Sequence, residues 1–293
     1  MNKTQIAITG SNSFIGKNFI KKYSKHYNIQ EIDVKNTPVD EIDFENIDVV
    51  YHVAAIVHSS SKISKETYLK VNSELAFSIA KKAKAQGVKQ FIFMSSIKVY
   101  GENTNNNLAF DINIPPKPVD NYGYSKLDAE IKLQTLKDDS FQLAIIRPPL
   151  VYGAGVKANM QSLLNFVNKS PVIPLAPFEN KRSYIYIGNL IDFINQIIKK
   201  RKSGIFLPSD GMPISTNDIL KTFKEQSKKK KICISIPKIF LNTFKYLAPV
   251  KYNKIWGNLE VNSKTSFDIA DFEPQYTIYE GMSKMAADYY KEK

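Results

Sequence analysis

Short apolar runs alternate along this chain with segments whose apolar residues recur at helical spacing. Residues 5–9 (Gln-Ile-Ala-Ile-Thr) form a strand pattern, and residues 10–16 (Gly-Ser-Asn-Ser-Phe-Ile-Gly) lead into a helix through Tyr23. A second strand ends near Asp33, a third covers Asp48 to Val53, and a fourth covers Gln90 to Met94. Helical patterns run from Tyr68 to Gln86 and from Tyr122 to about Leu136, and a fifth strand covers Gln142 to Arg147. Strands separated by helices predict an α/β fold, a doubly wound parallel sheet of the Rossmann type. The regularity breaks at Pro148 and Pro149. A further strand and helix, Tyr184 to Ile187 and Leu190 to Ile198, is expected to resume the sheet. The expected division is a dinucleotide-binding domain over 1–149 plus about 184–203, and a smaller α+β substrate region over 150–183 plus 204–293.

Composition narrows this little. The 293 residues are 43% hydrophobic and 24% charged, as in an ordinary globular protein. One cysteine, Cys233, allows no disulfide within the chain, and three histidines show no metal-ligand spacing, so no metal is expected. Neither a signal-peptide core nor a bilayer-length apolar run is present, which predicts a cytoplasmic protein without a transmembrane segment. The net charge of +13 is concentrated in Lys199-Lys-Arg-Lys202 and Lys228-Lys-Lys-Lys231. No arginine and aromatic interleaving accompanies them, so nucleic acid is not the expected partner. An anionic small molecule and an acidic membrane surface fit the charge equally well.

Several residues suggest chemistry. A strand, a glycine turn and a helix N-terminus present unpaired N–H groups to an anion. Gly10 allows the turn, Gly16 allows close helix packing, and Ser13 stands where a third glycine is usual. Asp33 lies 23 residues after Gly10, where a carboxylate accepts from the adenosine ribose of NAD; Lys35 nearby leaves NADP possible, and a loop acid is the plain alternative. Ala54 and Ala55 end the third strand with small side chains, flanked by His52 and His58, each read as a packed or loop histidine. Ser95 and Ser96 end the fourth strand, at the sheet edge where ligands bind. Tyr122 and Lys126 are four apart on one helix, so the ammonium is expected to lower the phenol pKa and make Tyr122 an acid/base.

The segments Thr9 to Gly16, His52 to Ala55, Val71-Asn72, Met94 to Gly101, Tyr122-x-x-x-Lys126 and Arg147 to Gly153 together resemble the extended short-chain dehydrogenase/reductase family over nearly the whole chain. Ser95 to Glu102, Gly155 to Asn159 and Lys181 to Ser183 resemble the bacterial surface-polysaccharide branch, which acts on UDP-sugars. The resemblance implies a Ser96–Tyr122–Lys126 triad. It also implies an NAD shell of Gly10, Ser13, Phe14, Ile15, Gly16, Asp33, Asp43, Phe44, Val53, Ala54, Ala55, Asn72, Ser95, Tyr122, Lys126 and Pro149. Ser96, Tyr122, Asn159 and Arg182 would contact the UDP-sugar, with Asn159 near the uracil and diphosphate. For Arg182 a surface ion pair is the alternative, and Lys98 is either a substrate contact or simply exposed. A homodimer built on the helices after the third and fourth strands is also implied.

Related dehydratases carry an Asp-Glu pair where this chain has Ile97 and Lys98, and the Cys/His pair of C3/C5 epimerising relatives is absent, so the resemblance points to chemistry at C4. The leading expectation is reduction of a UDP-4-keto-6-deoxy-N-acetylhexosamine in capsule or O-antigen synthesis. The alternative is a UDP-glucose or UDP-N-acetylglucosamine 4-epimerase with tightly held NAD, which uses the same residues. A non-catalytic dinucleotide sensor is the third reading, disfavoured because Tyr122 and Lys126 are both present.

Overall fold

The computed structural model describes residues 3–57, 63–104, 108–156, 159–227 and 229–291, with the side chain of Asn159 left out. The first half runs β1 (Gln5–Thr9), α1 (Phe14–Tyr23), β2 (Asn28–Ile32), β3 (Val49–His52), α2 (Lys65–Leu69), a π turn (Lys70–Glu74), α3 (Leu75–Ala85), β4 (Gln90–Met94), α4 (Asn121–Gln134) and β5 (Gln142–Ile146). The second half adds β6 (Leu150–Tyr152), α5 (Asn159–Lys169), β7 (Val172–Leu175), β8 (Tyr184–Tyr186), α6 (Ile187–Lys199), β9 (Gly204–Phe206) and α7 (Thr216–Glu225). It closes with β10 (Ile232–Ser235), α8 (Lys238–Leu247), α9 (Pro249–Trp256), α10 (Lys264–Ala270) and α11 (Ile278–Lys291). Short polar side chains start the helices that matter most. Ser13 caps α1 by accepting from Gly16 N, and Asp120 caps α4 by accepting from Gly123 N.

The central sheet has six parallel strands in the order β2-β1-β3-β4-β5-β9. Side chains alternate across it, as a pleated strand requires. Ile6, Ile8, Tyr51, Ile92 and Ile146 pack with Phe19 of α1 and Phe193 of α6 on one face. Ala7, Val50, Phe91, Phe93 and Ile145 pack with Ala76 and Ile79 of α3 and Leu133 of α4 on the other. A separate core joins Tyr152, Leu164, Ile173, Phe223 and Met282, around the two-stranded pairs β7–β10 and β6–β8.

The doubly wound parallel sheet is as the alternation predicts, but its sixth strand is not. Tyr184–Tyr186 pairs with Leu150–Tyr152 outside the main sheet, while Gly204–Phe206 lines up with Ala144–Ile146 and buries Phe206 completely. The sheet edge beside β5 is therefore filled from residues assigned to the substrate region. Three residues, the first a glycine, are too few to show a period, which is why the pattern misses them.

His52 is packed, as expected. It is fully buried between Phe91 and Phe93, with Nδ1 3.0 Å from Thr9 Oγ1 and Nε2 without a hydrogen-bond partner among the described residues. His58 lies outside the described residues. Burial pushes the His52 pKa down to about 3, so between there and the ordinary His value of ~6.5 only the unfolded chain takes up this proton. Stability from this group is complete above ~6.5 and is lost as pH falls towards 3. In urea titrations, His52→Gln is expected to remove a slope of up to ~1.4 kcal/mol per pH unit below pH ~6. Equal slopes in both proteins would contradict it.

Candidate active site

β2 lies on one side of β1 and β3 on the other, so the chain reverses its winding between β1 and β3. Open α/β sheets bind ligands at such a point, beyond the strand carboxyl ends. Gly10 has φ +69°, and a Cβ there would lie 2.7 Å from Ala54 N, so only glycine lets the β1 turn meet the Val53–Ala55 segment. At Gly16 a Cβ would lie 2.6 Å from Gly10 O, so the helix start also needs a bare backbone. Ser13 Oγ accepts from Gly16 N at 3.0 Å, so the serine in the middle of the motif anchors the helix while leaving the turn narrow. Phe14 and Ile15 are partly buried against the sheet core and fix α1 in place.

Asp33 follows β2 directly and is exposed. Asn36 Nδ2 at 2.6 Å and Lys35 N at 3.0 Å donate to its carboxylate, which holds its pKa below the usual carboxylate range. A fixed carboxylate at the end of β2 suits a ribose diol. Asp43 is also exposed and accepts from Glu45 N and Gln86 Nε2, whereas the Phe44 ring is fully buried in the core. Exchanging Asp33 for serine is expected to weaken NAD binding several-fold and to narrow any preference over NADP. Titration of each dinucleotide by intrinsic fluorescence checks this, and unchanged NAD affinity would remove Asp33 from the site.

Ser96 and Tyr122 are brought together. The Ser96 hydroxyl is hydrogen-bonded to the Tyr122 phenol, and the Tyr68 ring packs edge-on against Tyr122 at 6.3 Å. Gly123 makes this approach possible, since a Cβ there would lie 2.5 Å from Lys98 O. The expected depression of the Tyr122 pKa by Lys126 does not occur. Burial pushes the phenol up, Ser96 opposes this through its hydrogen bond, and Asp120 and Tyr68 add to the rise. Lys126 Nζ donates to Met94 O at 2.8 Å and lies 4.6 Å from the Phe93 ring centre, against 6.0 Å for Tyr122. Burial also pushes Lys126 down to about 7, with Glu130 partly opposing it. Lys126 is thus a buried cation with its own charge discouraged, a poor partner for a phenolate.

Beneath the pair lies a network that the spacing does not reveal. Arg147 Nε donates to Glu130 Oε1 and Oε2 at 3.1 and 3.2 Å, its Nη2 forms a salt bridge to the same carboxylate, and its Nη1 donates to Tyr100 OH. Ser95 Oγ donates to Glu130 as well, so this serine braces the network instead of facing a ligand. Glu130 sits one turn after Lys126 on the buried side of α4, beside Ala129 and Leu133. A carboxylate one turn after Lys126, between the apolar Ala129 and Leu133, is the signal that would have found it.

Other site candidates prove to be tied down. Asn72, fully buried in the π turn, donates from Nδ2 to Ile56 O and Ser125 Oγ and accepts from Ile56 N. It ties the segment after Ala55 to α4. Pro149 is buried behind β5. Lys98 makes ion pairs with Glu102 and with Asp120, the α4 cap, so it is neither free nor simply exposed. Among the described residues Arg182 makes no ion pair. Its Nη1 donates to Gly257 O at 2.7 Å and Asn253 O at 3.1 Å, closing the end of α9. The Asn159 side chain lies outside the described residues.

The family model for the NAD dependent epimerase/dehydratase family matches residues 6–206. The chain belongs to that family. The match spans every strand of the six-stranded sheet and both Tyr122 and Lys126, and the narrow Gly10–Ala54 approach, the capped start of α1 and the carboxylate after β2 fit the family's NAD. A UDP-glucose 4-epimerase of Vibrio cholerae is 34% identical, aligned over 96% of this chain and 94% of its own. An N-acetyl-alpha-D-glucosaminyl-diphospho-ditrans,octacis-undecaprenol 4-epimerase of Escherichia coli O157:H7 is 26% identical over 78% of this chain and 73% of its own. Among solved structures, RMD from Pseudomonas aeruginosa complexed with NADPH superposes with a TM-score of 0.80 at 15% identity, covering 99% of this chain and 100% of that one. The last likeness confirms the fold. Among the described residues, no helix is long and apolar enough to cross a membrane, and no cluster of potential metal ligands occurs.

Proposed function

We propose that this protein is an NAD-dependent 4-epimerase of UDP-hexoses or UDP-N-acetylhexosamines. The observation that carries it is the Ser96–Tyr122 hydrogen bond at the carboxyl end of β4, with Lys126 buried behind it. Near full-length similarity to a 4-epimerase supports this over the ketoreductase that the sequence puts first. The dinucleotide would rest on the Gly10–Gly16 turn, with Asp33 at its adenosine ribose and Val53, Ala54 and Ala55 along its path. Bound NAD supplies a reversible hydride acceptor for sugar C4.

Tyr122 exchanges the O4 proton at its phenol oxygen, and Ser96, already hydrogen-bonded to that oxygen, helps hold O4 against it. Lys126, anchored on Met94 O, positions the nicotinamide ribose. The sugar nucleotide is assigned to residues 150–183 and those after β9, with Asn159 and Arg182 nearest its uracil and diphosphate. To serve there, Arg182 would bind phosphate through the part of its guanidinium that is not spent on the α9 carbonyls and the Tyr184 side chain. A homodimer through α3 and α4, where Tyr124 and Ile131 are exposed, completes the proposal.

The test is incubation of the purified protein with UDP-glucose and UDP-N-acetylglucosamine, without added cofactor, followed by NMR of the sugar. Galacto-configured products are expected. Their absence, combined with consumption of NADH or NADPH on a UDP-4-keto-6-deoxy-N-acetylhexosamine, would establish the reductase instead.

A further inference from the structure

The segment between Glu225 and Glu260 contains eight lysines and no acidic residue, so it carries most of the net charge of +13. It is also where the fold leaves its apolar side chains uncovered. On α8, Ile239, Phe240, Tyr246 and Leu247 are 67–87% exposed, and Leu241 is the one buried residue. With 3.6 residues per turn, these four and Thr243 fall within roughly 120° of arc, so the apolar face of the helix looks away from the protein. Lys238 and Lys245 are exposed on the other side of the helix, roughly 140–160° from the centre of that arc. Val250 and Ile255 of α9 continue the exposure, and Lys251 and Lys254 continue the charge. The pair of helices is nonetheless built, not loose. Trp256 meets Phe244 edge-on at 6.0 Å and Tyr252 at 5.5 Å, Lys245 lies over the Tyr252 ring, and Arg182 closes α9 against the body of the protein.

We propose that the α8–α9 hairpin docks this protein onto an acidic lipid bilayer. An apolar face rich in Phe, Tyr and Leu, with lysines on the other side of α8 and between Val250 and Ile255 on α9, is what an interfacial helix needs, because the rings and aliphatic chains enter the headgroup boundary while the lysines are drawn to anionic lipid. Charge decides against a second copy of the chain as occupant. A symmetric dimer on this face would set two acid-free lysine clusters against each other. Nucleic acid would answer the charge but not the exposed isoleucine, leucine and valine. Docking is independent of which sugar the active site takes.

The experiment is co-sedimentation of the whole protein with vesicles of phosphatidylcholine alone, or of equal parts phosphatidylcholine and phosphatidylglycerol. Partitioning onto the acidic vesicles is expected to be about tenfold or more stronger and to fall as salt rises. Two surface variants separate the contributions. Ile239→Ser with Phe240→Ser and Leu247→Ser removes the apolar insertion, and Lys251→Glu with Lys254→Glu reverses the local charge. Each is expected to lose binding with an unchanged melting temperature. Absence of binding, equal binding to neutral and acidic vesicles, or undiminished binding by the serine variant would overturn the proposal. So would self-association by light scattering that the serine variant abolishes, or capture of oligonucleotides in place of vesicles.

Discussion

Replacing Tyr122 by phenylalanine is expected to lower kcat by about two to four orders of magnitude, the usual worth of a positioned acid/base. The change removes one oxygen and keeps the ring that packs against Tyr68, so the melting temperature should stay close to that of the parent. Because burial raises the Tyr122 pKa, the phenol holds its proton across neutral pH and suits the step that returns a proton to O4; the opposite step, which takes that proton, needs the phenolate, which Ser96 favours through its hydrogen bond. Ser96 works against burial through its hydrogen bond, so Ser96→Ala should push the Tyr122 pKa higher still and displace the alkaline limb of the pH–rate profile upward. Steady-state kinetics across pH checks both variants. A Tyr122→Phe enzyme with parental kcat would show that the proton moves elsewhere.

The largest effect on stability is expected at Glu130. Arg147 is 2% exposed and Glu130 wholly buried, so Glu130→Ala leaves a guanidinium without its counter-charge in the core. Breaking such a pair from one side costs about 3–5 kcal/mol, whereas replacing both partners with apolar residues of similar size is often near neutral. Urea denaturation should therefore show a large loss for Glu130→Ala and a much smaller one for Glu130→Met combined with Arg147→Met. Glu130 also holds the Lys126 pKa up, so the double variant should keep its fold while further lowering the pH at which Lys126 loses its proton. Equal losses for the single and double variants would mean that the network is held by packing and not by charge.

What the sequence makes legible follows from the range of each interaction. Gly10 and Gly16 can be assigned because a tight turn and a close helix approach are local demands, and the structure meets them at those residues. Tyr122 and Lys126 share a helix, so their spacing brings them to one region, but spacing cannot say where an ammonium points. Lys126 turns to Met94 O because β4 passes beneath α4, a contact between residues far apart in sequence. The same limit hides Ser95 and Arg147, whose partner Glu130 comes from another element, and Arg182, whose acceptors lie more than seventy residues away. Gly204–Phe206 is too short for any period to show. Lys98 stays open from sequence because its acids, Glu102 and Asp120, meet only when the turn after β4 packs on the start of α4.

The most direct test of C4 epimerisation is the fate of deuterium placed at C4 of UDP-glucose and UDP-N-acetylglucosamine. The purified protein is incubated with each, without added nicotinamide cofactor, and the products are read by NMR and mass spectrometry. The account predicts interconversion of the gluco and galacto forms, with the label kept at C4 and absent from solvent. Unchanged substrates, with stoichiometric oxidation of added NADH or NADPH on a 4-keto sugar, would contradict it and make the protein a reductase.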